Sequence, residues 1–302
     1  MKVKLMMHLM PWELDHTLLT FVKLKKSFEY LPKDTEILFE CVLNLSSAVI
    51  NWDETAIPKE YFIKKFKTLK SLIECFNVVR YDVIETDELY GHFNLQRESI
   101  DETVDGYIYL CTDQNFDETT LAYMCKTAKS IKDKYFILTT EIYKGWDITW
   151  DAISNEKYKN VPYEECGQQC AYKIEYDNFY NDVYVKKINQ IKFAGWFDYY
   201  SKDFINEFAK FPDSWVGYGP WDLYTIILSE QYNRMNLDEK INQYVLSGKL
   251  IYPIESAPYP TGFSGYYKDM IKKTDLDQRH VIEKQINSAI VDRLSQINSG
   301  NL

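Results

Sequence analysis

Apolar positions along the chain fall into two rhythms, and the alternation between them sketches a fold. "KVKLMMHLM", residues 2–10, is an apolar run closed by Pro11 and reads as a first strand. "ELDHTLLTFVKLKKSFEYL" then sets Leu18, Leu19, Phe21, Val22, Leu24, Phe28 and Leu31 at helical spacing. "TEILFECVLNLS" is a second strand, apolar almost throughout, as in a strand covered on both faces. "PKEYFIKKFKTLKSLIECF" is a helix with Pro58 in its first turn, and "VVRYDVI" is a short strand after it. "DELYGHFNLQRESID" predicts a helix, "GYIYLCTD" a strand, and "DETTLAYMCKTAKSI" an amphipathic helix capped by Asp117, with Thr120 in place of the usual capping-box acid. "YFILTTEIY" is a further strand.

Strand and helix alternate in this way over residues 1–145, which predicts a mostly parallel sheet with helices on both sides. Residues 146–190 are polar and aromatic, without a long periodic element, and read as an inserted region. A helix, "LYTIILSEQYNRM", and a tail of strand, loop and helix ending in "DLDQRHVIEKQINSAIVDRLSQI" follow within 191–302. No internal repeat and no Pro-, Gly- or Ser-rich linker divides the chain. One continuous domain over residues 1–302 is the expectation.

Composition narrows the classes. Of 302 residues, 46% are hydrophobic and 26% charged, which is globular composition. The net charge of −10 disfavours a nucleic-acid acceptor, because binders of a polyphosphate backbone present a basic footprint. The basic run "KKFKTLK" from Lys64 has the spacing of the wet face of a helix. Six scattered cysteines suggest a reducing, cytoplasmic setting. Cys166 and Cys170 form a lone Cys-x3-Cys without a second pair, too little for a zinc site. No apolar run reaches 18 residues, so no membrane span is expected. The 25 Tyr, 16 Phe and 7 Trp furnish either an aromatic core or flat surfaces for stacking on sugars and bases.

Candidate chemistry concentrates at strand ends. In "DGYIYLCTDQNF" an apolar run stops on Thr112, Asp113 and two amides. A strand ending so delivers polar groups to the carboxyl edge of a sheet, where open α/β folds bind ligands. A divalent cation carrying a diphosphate needs hard oxygen ligands and leaves sites for water and phosphate, so one or two carboxylates suffice. The same rule directs attention to the loop after the first strand, "HLMPWELD", with His8, Met10 and Trp12, and to Asp82 on the third strand. "GYGPWDLY" turns tightly on two glycines and a proline before Asp222, which stands at a helix start and serves at least as a cap there. There is no GxGxxG, Walker loop, G-x-S-x-G or HExxH.

"DGYIYLCTDQNFDETTL" resembles the Asp-x-Asp region of GT-A type glycosyltransferases, with Asp113 at the last Asp of the motif and Cys111 where the first would stand. Two further pieces follow the order of that family. "YGHFNLQR" supplies Gly91, Asn94 and Arg97 before the strand, where an ordinary amphipathic helix is the plainer reading. "FAGWFDYYSKDF" then "GYGPWDLY" supply an acceptor segment and an acidic helix start. The chain is similar to a divergent GT-A member, of the kind found among glycosyltransferase-like proteins of marine bacteria and tailed phages. The resemblance implies a Rossmann-like, mostly parallel sheet in one domain, with a nucleotide-sugar binding half (1–145), an acceptor-side insertion (146–190), and an acceptor half with a helical C-terminal tail (191–302).

It further implies a nucleotide-sugar donor, a carbohydrate or other hydroxyl acceptor, and Mn²⁺ or Mg²⁺ as cofactor. His8, Met10, Trp12, Asp82, Gly91, Asn94, Arg97, Thr112 and Asp113 would contact the donor, and Gly195, Trp196 and Trp221 the acceptor. Asp222 would be the catalytic base. Asp113 and His280 would hold the metal, although a histidine in a helix is also simply a surface or capping residue. Two other readings remain open on these residues. One is a non-catalytic nucleotide- or sugar-binding protein on the same scaffold, favoured by Cys111. The other is a nucleotidyltransferase, disfavoured because the first strand leads into no glycine-rich phosphate loop.

Overall fold

The computed structural model of the chain describes residues 1–9, 11–46, 52, 57–86, 100–111, 114–140, 142–143, 169–170, 183–191, 193, 197–208, 221–236, 239–248, 254–255 and 276–299. In chain order the first half holds β1 (Lys2–Leu9), α1 (Leu14–Ser27), β2 (Glu36–Ser46), α2 (Lys59–Leu69), β3 (Asn77–Thr86), β4 (Gly106–Leu110), β5 (Gln114–Asn115), α3 (Thr120–Ser130), β6 (Phe136–Thr140) and β7 (Ile142–Tyr143). The second half holds β8 (Gln169–Cys170), β9 (Tyr184–Ile188), β10 (Phe197–Ser201), α4 (Lys202–Phe208), α5 (Trp221–Met235), β11 (Asn242–Ser247), β12 (Ile254–Glu255) and α6 (Leu276–Ser299).

Eight strands form one sheet in the order β3-β2-β1-β4-β10-β6-β11-β9. β3, β2, β1 and β4 pair in parallel, as do β6 and β11. β10 runs antiparallel between β4 and β6, and β9 antiparallel on β11 at the edge. The expected mostly parallel α/β sheet flanked by helices is therefore present. At the β9 edge, Lys186 and Lys187 follow half-exposed Tyr184 and Val185, the kind of charge that keeps an open edge from pairing with other chains. β9 comes from the close of the segment that shows no periodicity in the sequence. Five residues are too short to display a rhythm.

Because side chains alternate across a strand, the sheet has two faces of different character. The odd-numbered residues of β1 (Val3, Leu5, Met7, Leu9) and of β2 (Ile37, Phe39, Cys41, Leu43, Leu45) join one hydrophobic cluster. Onto this face pack Phe21 and Leu24 of α1, Phe62, Phe66 and Leu69 of α2, and Leu121, Met124 and Cys125 of α3. The opposite face carries Met6, Leu38, Tyr107 and Tyr109, covered by Phe204 and Phe208 of α4, Tyr224 and Leu228 of α5, and Ala289, Ile290 and Leu294 of α6. So the described helices of the first 145 residues all lie on one face, and the second half of the chain supplies the other layer. Ile100 and Val104, on the return from β3 to β4, pack into that second cluster.

Two local details differ from the sequence reading. α3 begins at Thr120 with Thr119 as the flanking residue and no side-chain cap. Asp117 instead accepts hydrogen bonds from the backbone N–H of Thr119 at 2.9 Å and from its hydroxyl at 2.6 Å, a turn that precedes the helix. The helical pattern of 58–76 breaks after Leu69 into a 3-10 turn, Lys70–Ile73. As the spacing of "KKFKTLK" predicts, Phe62, Phe66 and Leu69 are buried while Lys64 and Lys67 face solvent. Gly106 allows a close approach: a Cβ there would collide with the phenol of buried Tyr199, whose hydroxyl donates to the Asp105 carbonyl at 3.2 Å.

Candidate functional site at the carboxyl edge of the sheet

The chain leaves β1 toward β2 on one side and later returns to lay β4 on the other. The carboxyl ends of β1 and β4 therefore flank the point where strand order reverses, the usual ligand crevice of an open α/β sheet. β1 ends at Leu9 and runs into a 3-10 turn, Pro11–Glu13, which contains Trp12. β4 ends at Leu110, followed by half-buried Cys111. Three residues further on, at Gln114, the backbone is in β5, not yet in a helix, and β5 belongs to a second sheet of order β5-β12-β7-β8.

A band of buried polar groups underlies this edge on the second face. His8 Nε2 lies 2.9 Å from Glu40 Oε1, and Lys4 Nζ lies 3.2 Å from Glu40 Oε2. The side chains of Lys4, Glu40 and His8 are 10%, 2% and 0% exposed. In the tautomer that donates Nε2–H to the carboxylate, Nδ1 carries the lone pair, and that buried atom has no hydrogen-bond partner among the described residues. It can accept from an N–H or O–H of a ligand. The ring also meets Tyr109 edge-on, with centroids 6.3 Å apart.

The register continues the band across the sheet. Arg80, Glu40, Met6, Tyr109, Asp198, Thr139 and Val245 occupy successive paired positions on seven adjacent strands. Asp198 is fully buried, and the Tyr200 hydroxyl approaches its carboxylate at 3.4 Å. Gln243 donates to Thr139 Oγ1 at 3.2 Å, which in turn donates to the Tyr244 carbonyl. Glu40 beside the buried thiol of Cys41 adds to the effect of burial, and both push that thiol well above its usual range. Cys41 is inert as a nucleophile.

The N-terminus of α5 belongs to the same edge. Asn233, near the end of α5, exchanges two 2.8 Å hydrogen bonds with the backbone of Ile241, immediately before β11. The 15 residues of α5 span about 22 Å and the six of β11 about 20 Å. Tyr224 and Leu228 pack on the second face between these ends. Trp221 and Asp222, the first two residues of α5, therefore emerge at the carboxyl edge, where the helix dipole favours an anionic side chain.

Of the residues singled out in the sequence, His8 is buried on β1 and Asp82 sits in its row with Val42 between them. Asp82 is exposed and accepts from Arg80 Nε at 3.0 Å. The backbone of Trp12, Trp221 and Asp222 is at the edge, and His280 is the fifth residue of α6. Met10, Gly91, Asn94, Arg97, Thr112, Asp113, Gly195 and Trp196 lie outside the described residues, as do residues 91–97 of the expected helix and most of 146–182. Sequence reading passed over Glu40, Tyr109, Thr139, Asp198 and Gln243. The signal was there: an acid inside each of two strands, "ILFECVL" and "WFDYY".

Among the described residues, no three His, Cys, Asp or Glu side chains cluster closely enough to hold a metal ion. Cys111, half-buried after β4, is a soft ligand and does not fit a hard Mg²⁺ site. Neither Asp113 nor the side chain of His280 is among what is described. No described helix is long and apolar enough to cross a membrane.

No protein-family model matches the chain, and no curated protein matches it. Among solved structures it is similar to residues 1–349 of TarS from S. aureus, at 12% identity and a TM-score of 0.44, over 97% of this chain and 71% of that one. It spans 43% of the longer TarS chain. It is also similar to a mannosyltransferase from Pyrobaculum calidifontis in complex with GDP-Man and Mn²⁺, at 10% identity and a TM-score of 0.48, over 98% and 73% of the two chains. A mycobacterial protein is similar at 9% identity and a TM-score of 0.45, over 89% and 72%. At these identities and scores the likenesses carry no statement of what this chain binds or does.

Proposed function

We propose that the chain is a glycosyltransferase that moves a sugar from a nucleotide-sugar donor to a hydroxyl acceptor, with all 302 residues working as one unit. One observation carries this reading. β4 ends beside β1 at the strand-order reversal, and both strands carry a buried polar band on the second face beneath that edge. Such a position suits a polar, hydrogen-bonding ligand and not an apolar one.

In this reading the base lies between Trp12 and the strand-end residues His8, Met10 and Asp82, with Gly91, Asn94 and Thr112 lining the nucleotide. Arg97 offers its fork of donors to phosphate. Asp113 and His280 hold a Mn²⁺ or Mg²⁺ ion, which when bound neutralises charge on the departing nucleotide. Gly195, Trp196 and Trp221 form the acceptor floor. Asp222, kept ionised at the start of α5, accepts the proton of the attacking hydroxyl as the new glycosidic bond forms and the bond to the nucleotide breaks.

A second reading, a binding protein without transfer, is favoured by Cys111 standing after β4 where a second acid would strengthen a metal site. A thermal-shift screen of nucleotide sugars with and without Mn²⁺, followed by a nucleoside-diphosphate release assay, separates the two. Metal-enhanced stabilisation with nucleotide release supports transfer. Stabilisation without release in any acceptor supports the binding protein, and no stabilisation by any nucleotide sugar contradicts both.

A further inference from the structure

The helical layer on the first face is basic, although the chain as a whole carries −10. α1 has three lysines against Asp15, α2 has four against Glu60, and α3 has two and no acid, so the three helices carry +2, +3 and +2. The opposite layer does not share this. α4 and α5 carry −1 each and α6 is neutral. α1 lies between α2 and α3, touching both, so it is the centre of the basic layer.

At that centre the outward stripe of α1 is apolar. Leu18 is 43%, Leu19 65% and Val22 42% exposed, all within one turn, and Lys25 follows on the same stripe. Tyr61 of α2 is 50% exposed, and beside it Lys64 and Lys67 border an open concavity with Glu60, Ile63 and Thr68. Some lysines of the layer are engaged: Lys65 with Asp15, Lys26 with Glu118, Lys59 with Glu85 and Lys129 with Asp34. Lys25, Lys64, Lys67 and Lys126 are solvent-facing, and none of them has an ion-pair partner among the described residues.

We propose that this face docks the protein on an anionic phospholipid surface, with Leu18, Leu19 and Val22 inserted at the headgroup boundary and the flanking lysines on lipid phosphates. Aliphatic side chains with exposed lysines beside them, in a layer of net positive charge, suit a bilayer, where a few buried methylenes and several weak charge contacts add together. They do not suit a nucleic acid, which offers phosphates and base faces but nothing that prefers leucine. Because α1 leaves the carboxyl end of β1, Leu18 and Leu19 sit in its first half, near the edge that holds the candidate site. The proposal does not depend on sugar transfer and is read without it.

The test is co-sedimentation of the full chain with vesicles of phosphatidylcholine, with and without phosphatidylglycerol, at low and high salt. Partitioning is expected only onto the phosphatidylglycerol vesicles and is expected to weaken with salt. Lys64→Gln and Lys67→Gln should each lower it about fivefold, from roughly 1 kcal/mol per lysine near such a surface. Leu18→Ser with Leu19→Ser should lower it about tenfold or more through lost apolar burial. All four side chains are solvent-facing, so unchanged melting temperatures confirm that the variants fold. Met235→Ser and Val291→Ser, exposed apolar positions of α5 and α6, are the controls and should change nothing. Equal partitioning onto both vesicle types, or indifference to the leucine and lysine substitutions, overturns the proposal. So does a dimer by light scattering that the leucine substitutions dissolve, or retention on an oligonucleotide that they leave intact.

Discussion

Two neighbouring cross-strand rows of the same sheet, one residue apart, have different jobs. Val78, Phe39, Leu5, Ile108, Tyr199, Leu138 and Tyr244 form the row on the first face. Arg80, Glu40, Met6, Tyr109, Asp198 and Thr139 form the next row on the second. The first is hydrocarbon and aromatic rings against α1, α2 and α3. The second buries two carboxylates, Glu40 with Lys4 and His8 beside it and Asp198 near the Tyr200 hydroxyl. Burying charge is costly unless each group finds a partner, and Glu40 finds two, in Lys4 and His8. Both faces pack a hydrophobic cluster, and the second in addition pairs charge beneath the candidate edge. The register slips between Phe39 and Glu40, which leaves Val79 without a place in either row and 48% exposed.

The comparison breaks most visibly under core truncation. Phe39→Ala, in a fully buried cluster with Phe21 and Phe76, should cost about 3–5 kcal/mol in denaturant unfolding. Glu40→Ala should cost a similar amount for a different reason, because it strands the Lys4 ammonium and the His8 ring. The two mechanisms separate in a triple variant. Lys4→Met, His8→Phe and Glu40→Leu together should leave stability unchanged or raise it by ~1–4 kcal/mol, while nucleotide-sugar binding falls. A triple variant as unstable as Glu40→Ala would mean that the polar row is structural after all.

Gly106→Ala should cost about 1–3 kcal/mol, since the added methyl meets the Tyr199 ring inside the first face. Tyr199→Phe in the same chain should recover little of that loss, because the ring carbons as well as the hydroxyl lie in the way. Melting temperatures of the single and double variants measure both.

A smaller effect concerns pH. Burial alone would raise the Asp133 carboxyl, but hydrogen bonds from the Tyr244 hydroxyl at 2.6 Å and from Lys187 at 3.3 Å outweigh it and hold the group below the usual carboxylate range. Asn242 donates to the same oxygen at 2.8 Å. A depressed native pKa means stability that is present above the unfolded value, near 3.9, and lost as pH falls through the native one. Asp133→Asn should flatten the acid limb of a pH–stability profile and change little at neutral pH beyond the loss of these bonds.

Much of the fold is legible in the sequence because it depends on periodicity. β1, β2, α1, α2 and α5 are long enough for an apolar rhythm to declare itself, and each is found near its expected place. The short pieces are not: β5, β7, β8 and β12 have two residues each, and only partners distant in sequence make them strands. The second face was hidden for another reason. Glu40 and Asp198 look like interruptions of apolar strands until the register puts them in one row. Asp222 was legible as a helix start, because glycines and a proline before an acid constrain the backbone locally. Its position at the same edge as β1 and β4 needed the direction of α5, which no local pattern encodes.

The most direct test of the proposed transfer site is a paired measurement on Asp222→Asn. Turnover is followed by nucleoside-diphosphate release with a productive acceptor, and donor affinity by calorimetry in Mn²⁺. Asparagine has the shape of aspartate, and a first-turn position loses only its favourable interaction with the helix dipole, so the fold should change little. Loss of a general base predicts turnover lower by about 10² to 10⁴ with donor affinity nearly unchanged. Donor binding that collapses while the rate at saturation stays normal would contradict the account, and so would a variant that equals the parent in both.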